Sequence, residues 1–222
     1  MKLVYTPNPD YVHKALVVAF EAGVLDRLQL VRSLPFDDDT TIWQHNPLGK
    51  VPCLILDDGQ PLPGGLAICE YLDSLSDNGR SLFPAGAARW PALGLAMLGE
   101  GLFDATTLMR VEGWRPAPER HLDALRRERR KVMNALDAME REAAGFASQP
   151  FHIGHVCMAG GLSYLELRNP VRELDLEAGD AGFEWRERCP ALASWFVAVL
   201  GRPSIRHRIT REQVEAMEHS QV

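Results

Sequence analysis

Along the first eighty positions apolar residues come in short runs broken by turn-formers; beyond position 90 they recur every three or four residues. Residues 2–5 read as a strand, and the dense turn of residues 6–10 ends in Asp10, which can cap a helix. That helix is expected over residues 11–22, with Val12, Ala15, Leu16, Ala19 and Phe20 on one face and Gly23 as its stop. Residues 28–31 alternate and read as the next strand, and a short helix is expected near residues 41–44. Cys53 to Leu56 is an apolar run that reads as a buried strand, with Pro52 at its first residue, where a missing ladder donor is tolerated. Asp58-Gly59 turns the chain into a second short strand over residues 60–62, and a helix over residues 66–75 closes the segment. The order βαβαββα implies a mixed sheet with crossover helices.

A polar, glycine-containing link near residues 76–86 marks a domain boundary. Beyond it the pattern is helical. Residues 90–109 carry a wide apolar face, and Leu122, Leu125, Val132, Met133, Leu136 and Met139 recur at helical intervals in a strongly charged stretch. Residues 153–167, with Gly154, Ala159, Gly160 and Gly161, are apolar nearly all round and are expected to form a buried central helix admitting close neighbours. Pro190 opens another helix, which Gly201-Arg202-Pro203-Ser204 breaks.

Composition adds limits to this picture. With 222 residues, 46% hydrophobic and 24% charged, the chain suits one large or two small globular domains. No window approaches the ~18 consecutive apolar residues of a membrane span, and the N-terminus runs into Lys2-Leu3-Val4-Tyr5 without a signal-peptide core, so a cytoplasmic location is expected. The net charge of -6 gives no attraction to nucleic acid or anionic membrane. The basic run 126–131 is interleaved with acidic residues, so it reads as a solvated face or subunit contact. Cys53, Cys69, Cys157 and Cys189 lack C-x-x-C spacing and read as buried free thiols. Asp37-Asp38-Asp39 reads as a solvated loop, since calcium loops need a longer spaced pattern of ligands. His152 and His155 stand at i and i+3; no third ligand is evident, and a cap for the buried helix is the better reading than a metal site.

The strings Asn46-Pro47-Leu48-Gly49-Lys50-Val51-Pro52-Cys53-Leu54 and Asp58-Gly59, then Leu66-Ala67-Ile68-Cys69-Glu70-Tyr71-Leu72, resemble the thioredoxin-like N-terminal domain of the glutathione transferase family. Residues 151–168, 189–196 and 202–204 resemble the helical C-terminal domain of a bacterial subgroup of that family. The resemblance thus covers residues 1 to about 210. It implies an α/β plus all-α architecture, with a thioredoxin-like glutathione-binding domain (βαβαββα) over residues 1–78 and a helical-bundle domain over residues 86–222. It also implies a homodimer that binds glutathione and a hydrophobic electrophile; from the charge and the residue spacings above, no metal, nucleic acid or membrane is expected as partner. In this family the buried helix usually opens on a Ser/Thr-x-x-Asp box; here His152 and His155 occupy those places.

Glutathione transfer needs a thiolate made from a thiol of pKa about 8.5. The positive end of the first helix and a donor in the preceding loop can stabilise it. The loop resembles the subgroup wording S-P-x-S-P-Y-V-R-K, but the activating serine falls on Pro9, and Asp10 stands where a related class has cysteine. Pro9 has no donor, and an ionised Asp10 would oppose a thiolate. The candidate catalytic donors are Thr6 and Asn8, which also fit the role of turn-formers; Tyr5, Tyr11 and His13 are the other donors nearby. His13 replaces a family arginine and reads as packing beside the ligand.

By the same resemblance, glutathione-binding residues are Lys50, Val51, Pro52, Gly64 and Gly65. Val51, before a cis proline, would offer its backbone to the peptide-like ligand, and Lys50 would approach the glycyl carboxylate or simply be solvated. The Glu-Ser pair that holds the γ-glutamyl end is replaced by Gly64-Gly65. Backbone amides at a helix start can still hold a carboxylate, but each lost hydrogen bond to a charged ligand group weakens binding by about 1.5–3 kcal/mol. Restoring Glu and Ser is expected to tighten it. A second substrate would lie against the helical domain near Met109, Arg110 and Trp114. The alternative function is a non-catalytic binding protein that has kept the fold and lost the activating residue and the Glu-Ser clamp.

Overall fold

The structure, a computed structural model, describes residues 1–6, 10–33 and 40–206, with the backbone alone for Asp10 and Tyr11. Asp37, Asp38 and Asp39 lie outside the described residues. The described chain divides into two units: one holds Met1–Phe83 with the stretch that begins at Pro203, the other Pro84–Arg202.

In the first unit a four-stranded mixed sheet has the order β2-β1-β3-β4, with β1 Lys2–Tyr5, β2 Gln29–Arg32, β3 Cys53–Ile55 and β4 Pro61–Pro63. β1 runs parallel to β2 and antiparallel to β3, which is antiparallel to β4. Composition explains who sits where. Leu3, Val4, Tyr5, Cys53 and Leu54 are all at most 1% exposed, as central strands covered on both faces should be. Pro61 and Pro63 fall on an edge strand, where proline is tolerated.

Helix α1 (Asp10–Glu21) buries Val12, Ala15, Leu16, Val17, Val18 and Ala19 almost completely and packs on α2 (Gly65–Ser74). Each of the valine and leucine side chains among them contributes roughly 1.5–3 kcal/mol of burial. Gly23, at φ +74°, ends the first helix as expected. Between β2 and β3 the described residues hold a single 3-10 turn, Ile42–Gln44. The link after α2 is tied to its own unit: Asp73 accepts from Ser81 Oγ and the Leu82 amide, and Asn78 donates to the Glu21 carbonyl at 2.9 Å.

The second unit is helical: α3 Arg89–Gly113, α4 Leu122–Phe146, α5 Ile153–Arg168, α6 Pro170–Leu174, α7 Trp185–Arg188 and α8 Pro190–Leu200. Helix α5 is buried from Ile153 to Leu165 and lies against α3. Their approach is close enough that a Cβ on Gly99 would stand 2.4 Å from the Cys157 carbonyl carbon, so the small residues are needed there. His152 and His155 do replace the missing cap. The Gly154 amide donates to His152 Nδ1 at 3.1 Å, and the His152 amide donates to His155 Nδ1 at 3.2 Å, a reciprocal capping box.

Part of the charged run on α4 pairs within the unit, Arg126 with Asp123 and Glu177, Arg129 with Asp180, and Lys131 with Glu128, while Arg127 and Arg130 are exposed. Glu140 accepts from the Ala191 and Leu192 amides and so serves the start of α8. All four cysteines are free and buried. The last described helix, α9 (Pro203–Arg206), packs on α1 in the first unit.

Candidate functional site

Val4, Cys53 and Pro63 form one rung across β1, β3 and β4, and it is the last rung for β3 and β4. Beyond it the chain runs to Thr6 from β1, back to Pro52 and Val51 from β3, and on to Gly64 and Gly65 from β4. The register therefore gathers Thr6, Val51, Pro52, Gly64 and Gly65 at one end of the sheet, the end where α2 also begins. Thr6 is half-buried there. Asn8 and Pro9 lie outside the described residues.

The approach to Val51 is built by Asn46, which is 2% exposed. Its side-chain amide donates to the Lys50 carbonyl at 2.7 Å, while its oxygen accepts the Leu48 amide at 3.0 Å. A turn closes through the Gly49 amide onto the Asn46 carbonyl, and a Cβ on Gly49, at φ +61°, would stand 2.4 Å from the Trp43 ring. This explains the Asn-Pro-Leu-Gly wording in physical terms: a buried polar bracket, and a position without room for a side chain. Lys50 is left exposed. The Val51-Pro52 bond is cis. Neither the N–H nor the C=O of Val51 has a hydrogen-bond partner among the described residues.

Helix α2 starts from Gly64, whose φ of +96° suits glycine, and no side chain caps it. The Ile68 amide bonds the Gly64 carbonyl, leaving the Gly65, Leu66 and Ala67 amides without partners among the described residues. Three N–H groups at the positive end of a helix make an anion-binding surface. Sequence reasoning missed the residue that joins them. The end of the Lys14 side chain lies over Gly65: a Cβ there would be 2.2 Å from Lys14 Cε and 2.6 Å from its Nζ. An ammonium thus stands where the family wording has a serine side chain. The signal was present in Gly65 itself, since a glycine can mark a place that another residue's side chain occupies. Restoring Glu at position 64 would force a side chain onto a positive φ, and a Ser at 65 would meet Lys14. The expected gain from restoring that pair therefore does not follow from this geometry.

His13 is 3% exposed and its Nε2–H donates to the Ile205 carbonyl at 3.0 Å. This ring holds α9. Two of the cysteines are held as thiols: burial raises the Cys53 thiol, and burial with the neighbouring Glu140 carboxylate pushes Cys189 up to about 11. Among the described residues no cluster of three His, Cys, Asp or Glu side chains could hold a metal ion, and no helix is long and apolar enough to cross a membrane.

In the helical unit, Met109 is fully buried and belongs to the core, while Trp114 is 56% exposed. Arg110 lies between them in burial; its guanidinium carbon is 5.0 Å from the Trp114 ring centroid, and its Nη1 donates to the Tyr164 hydroxyl at 3.4 Å.

The family model for the glutathione S-transferase N-terminal domain matches residues 10–75. A glutathione transferase family member from Pseudomonas fluorescens Pf-5, solved with bound glutathione, is 37% identical, over 92% of this chain and 96% of its own, with a TM-score of 0.80. The chain belongs to the glutathione transferase family. The Pseudomonas family member has also been solved with bound S-(propanoic acid)-glutathione, at a TM-score of 0.77 with the same identity, 37%, and the same coverage, 92% of this chain and 96% of its own. A curated relative, the uncharacterized GST-like protein YibF of Escherichia coli K12, is 28% identical over 175 residues, covering 76% of this chain and 83% of that protein. In this glutathione transferase Gly64 and Gly65 stand where the family wording has Glu and Ser, and the end of Lys14 lies over Gly65.

Proposed function

We propose that this chain transfers the thiolate of glutathione to a hydrophobic electrophile. The observation that carries the reading is a pair of hydrogen-bonding surfaces at one end of the sheet: the Val51 backbone and the first amides of α2, which have no partner among the described residues, with the end of the Lys14 side chain close to the latter. Glutathione is a γ-linked tripeptide. It has a backbone segment for the first surface and a carboxylate for the second. Lys50, Val51, Pro52, Gly64 and Gly65 are its binding residues in this reading, with Lys14 added to them.

Lowering a thiol pKa by about two units takes ~2.7 kcal/mol of preferential anion stabilisation. The amino end of α1 supplies part of it, and Thr6 and Asn8 are the proposed donors. In the reaction the thiol gives its proton to solvent and the sulfur lone pair forms the S–C bond. On a substitution substrate the leaving group departs with the electron pair of its broken bond. On an activated alkene the resulting carbanion takes a proton from water. The complex of the Pseudomonas relative with S-(propanoic acid)-glutathione supports a class of product in which the sulfur carries a short acid.

The same proposal assigns glutathione to a domain over residues 1–78 and the second substrate to a domain over residues 86–222, in a cytoplasmic homodimer with a role in detoxification. Calorimetric titration with glutathione tests it first, and a conjugation assay with 1-chloro-2,4-dinitrobenzene second. Binding with turnover is the expected result. Pro9 and the Gly64-Gly65 pair favour a second reading, a binding protein without catalysis; binding without turnover, or no heat at millimolar glutathione, would replace the first reading with it.

A further inference from the structure

We infer that Arg110 forms a subsite for an anionic group, a carboxylate, on the second substrate. The inference rests on the conjugation reading for the identity of that substrate, while the subsite itself stands on the helical unit alone.

Phe103, Thr107, Arg110 and Trp114 follow one another on α3 at spacings of four, three and four, so they line one stripe of the helix. On one side of that stripe are the core residues Leu102, Ala105, Thr106 and Met109; on the other are the exposed Asp104, Leu108 and Val111. Phe103, Thr107 and Arg110 are half-buried and Trp114 is exposed, so the stripe is a partly open wall with an aromatic ring at each end. Phe103 stacks on Tyr164 of α5 with centroids 4.3 Å apart and an interplanar angle of 19°. Tyr164 in turn accepts from Arg110, whose guanidinium covers Trp114.

Both partners of Arg110 are neutral. No carboxylate among the described residues pairs with it. Arg129 and Arg186, also half-buried, instead meet Asp180 and Glu166 through paired short contacts, and half-buried Arg120 spends its donors on the Arg115 and Gly113 carbonyls. A guanidinium has five donors in a planar fork, and one long bond to a phenol leaves most of them unmatched. Partial burial raises the cost of an unanswered charge. A carboxylate arriving with the substrate would match the fork two donors to two oxygens, and its carbon skeleton would lie on the Trp114 and Phe103 rings.

The test compares a carboxylate with its neutral isostere, within each protein. The first probe pair is S-(3-carboxypropyl)glutathione and S-(3-carbamoylpropyl)glutathione; the second, free of glutathione, is 3-phenylpropanoate and 3-phenylpropanamide. Calorimetry on the full chain should show a preference of about tenfold for each carboxylate. Arg110→Gln should cut it to about twofold or less, and Arg110→Lys, which keeps the charge but not the fork, should hold an intermediate value. Melting temperatures report whether each variant is folded; if Arg110→Gln is not, Arg110→Lys and the native ratio decide. Equal affinity for acid and amide in the native protein would overturn the inference, as would a preference that survives both substitutions. If glutathione fails to bind, the conjugation reading falls, and the phenylpropanoate pair still decides the role of Arg110 by the same ratios.

Discussion

Where the family wording has serine, this chain has Gly65, and the space a Cβ would fill is taken by the end of Lys14. A serine hydroxyl offers one hydrogen bond to a ligand carboxylate, whereas an ammonium adds charge to it. Lys14→Met keeps the length of the side chain and removes that charge, so it should weaken glutathione binding by about tenfold in a calorimetric titration. Affinity equal to that of the native protein would take Lys14 out of the site. Thr6→Val removes a hydroxyl of equal size at the end of β1. It should raise the apparent pKa of the bound thiol by about one unit in the pH–rate profile. An unmoved profile would remove Thr6 from the mechanism. These two residues show what could be read from the chain alone. The places of Thr6, Val51 and Gly65 at the ends of β1, β3 and α2 were legible because motif spacing and element boundaries are local properties. Lys14 was not, because its reach from α1 to α2 depends on how two helices pack.

At the level of the element, the buried helix α5 begins with two imidazoles in place of a hydroxyl and a carboxylate. Both Nδ1 atoms accept amide bonds, so both rings must be neutral in the folded chain. Burial, then His152, then Arg202 hold His155 down at about 3, and burial lowers His152 as well. The Phe146, Phe151 and Trp195 rings that surround His155 supply no negative charge to oppose this. Because the folded pKa lies below the unfolded one of about 6.5, these groups stabilise the fold above that pH and lose their contribution as pH falls toward 3. Between about pH 7.5 and pH 5 the loss from His155 alone is on the order of 2 kcal/mol. Urea unfolding at the two pH values should show it. His152→Ser with His155→Gln, a neutral capping box, should show a smaller loss over the same interval; an equal loss would place the acid sensitivity elsewhere. The replacement was legible in the sequence, since a departure from Ser/Thr-x-x-Asp is visible at the level of letters. The reciprocal bonding and the ring stack, with His152 and His155 centroids 3.9 Å apart, are packing results that letters do not carry.

On the scale of the molecule, the succession of strands along the chain and the helical part after it were readable because continuous apolar runs, edge prolines and helical periodicity each answer to one element at a time, whereas the order of the strands within the sheet was not. The assignment of α9 was not. Pro203–Arg206 follows a long helical stretch in sequence, yet its Ser204 hydroxyl donates to Glu21 and its Ile205 carbonyl accepts from His13, both on α1. Such long-range bonds leave no periodic trace. Deleting residues 203–222 would strip a buried imidazole of its acceptor and uncover part of α1, so the melting temperature should fall by several degrees, in proportion to a loss of about 1–3 kcal/mol. A deletion with native melting would show the contact to be dispensable. The return of α9 also has a consequence for biogenesis. A nascent chain that has emerged only as far as Phe83 holds the four strands of its sheet but lacks the piece that seals α1, so the first unit to be synthesised is among the last to be finished.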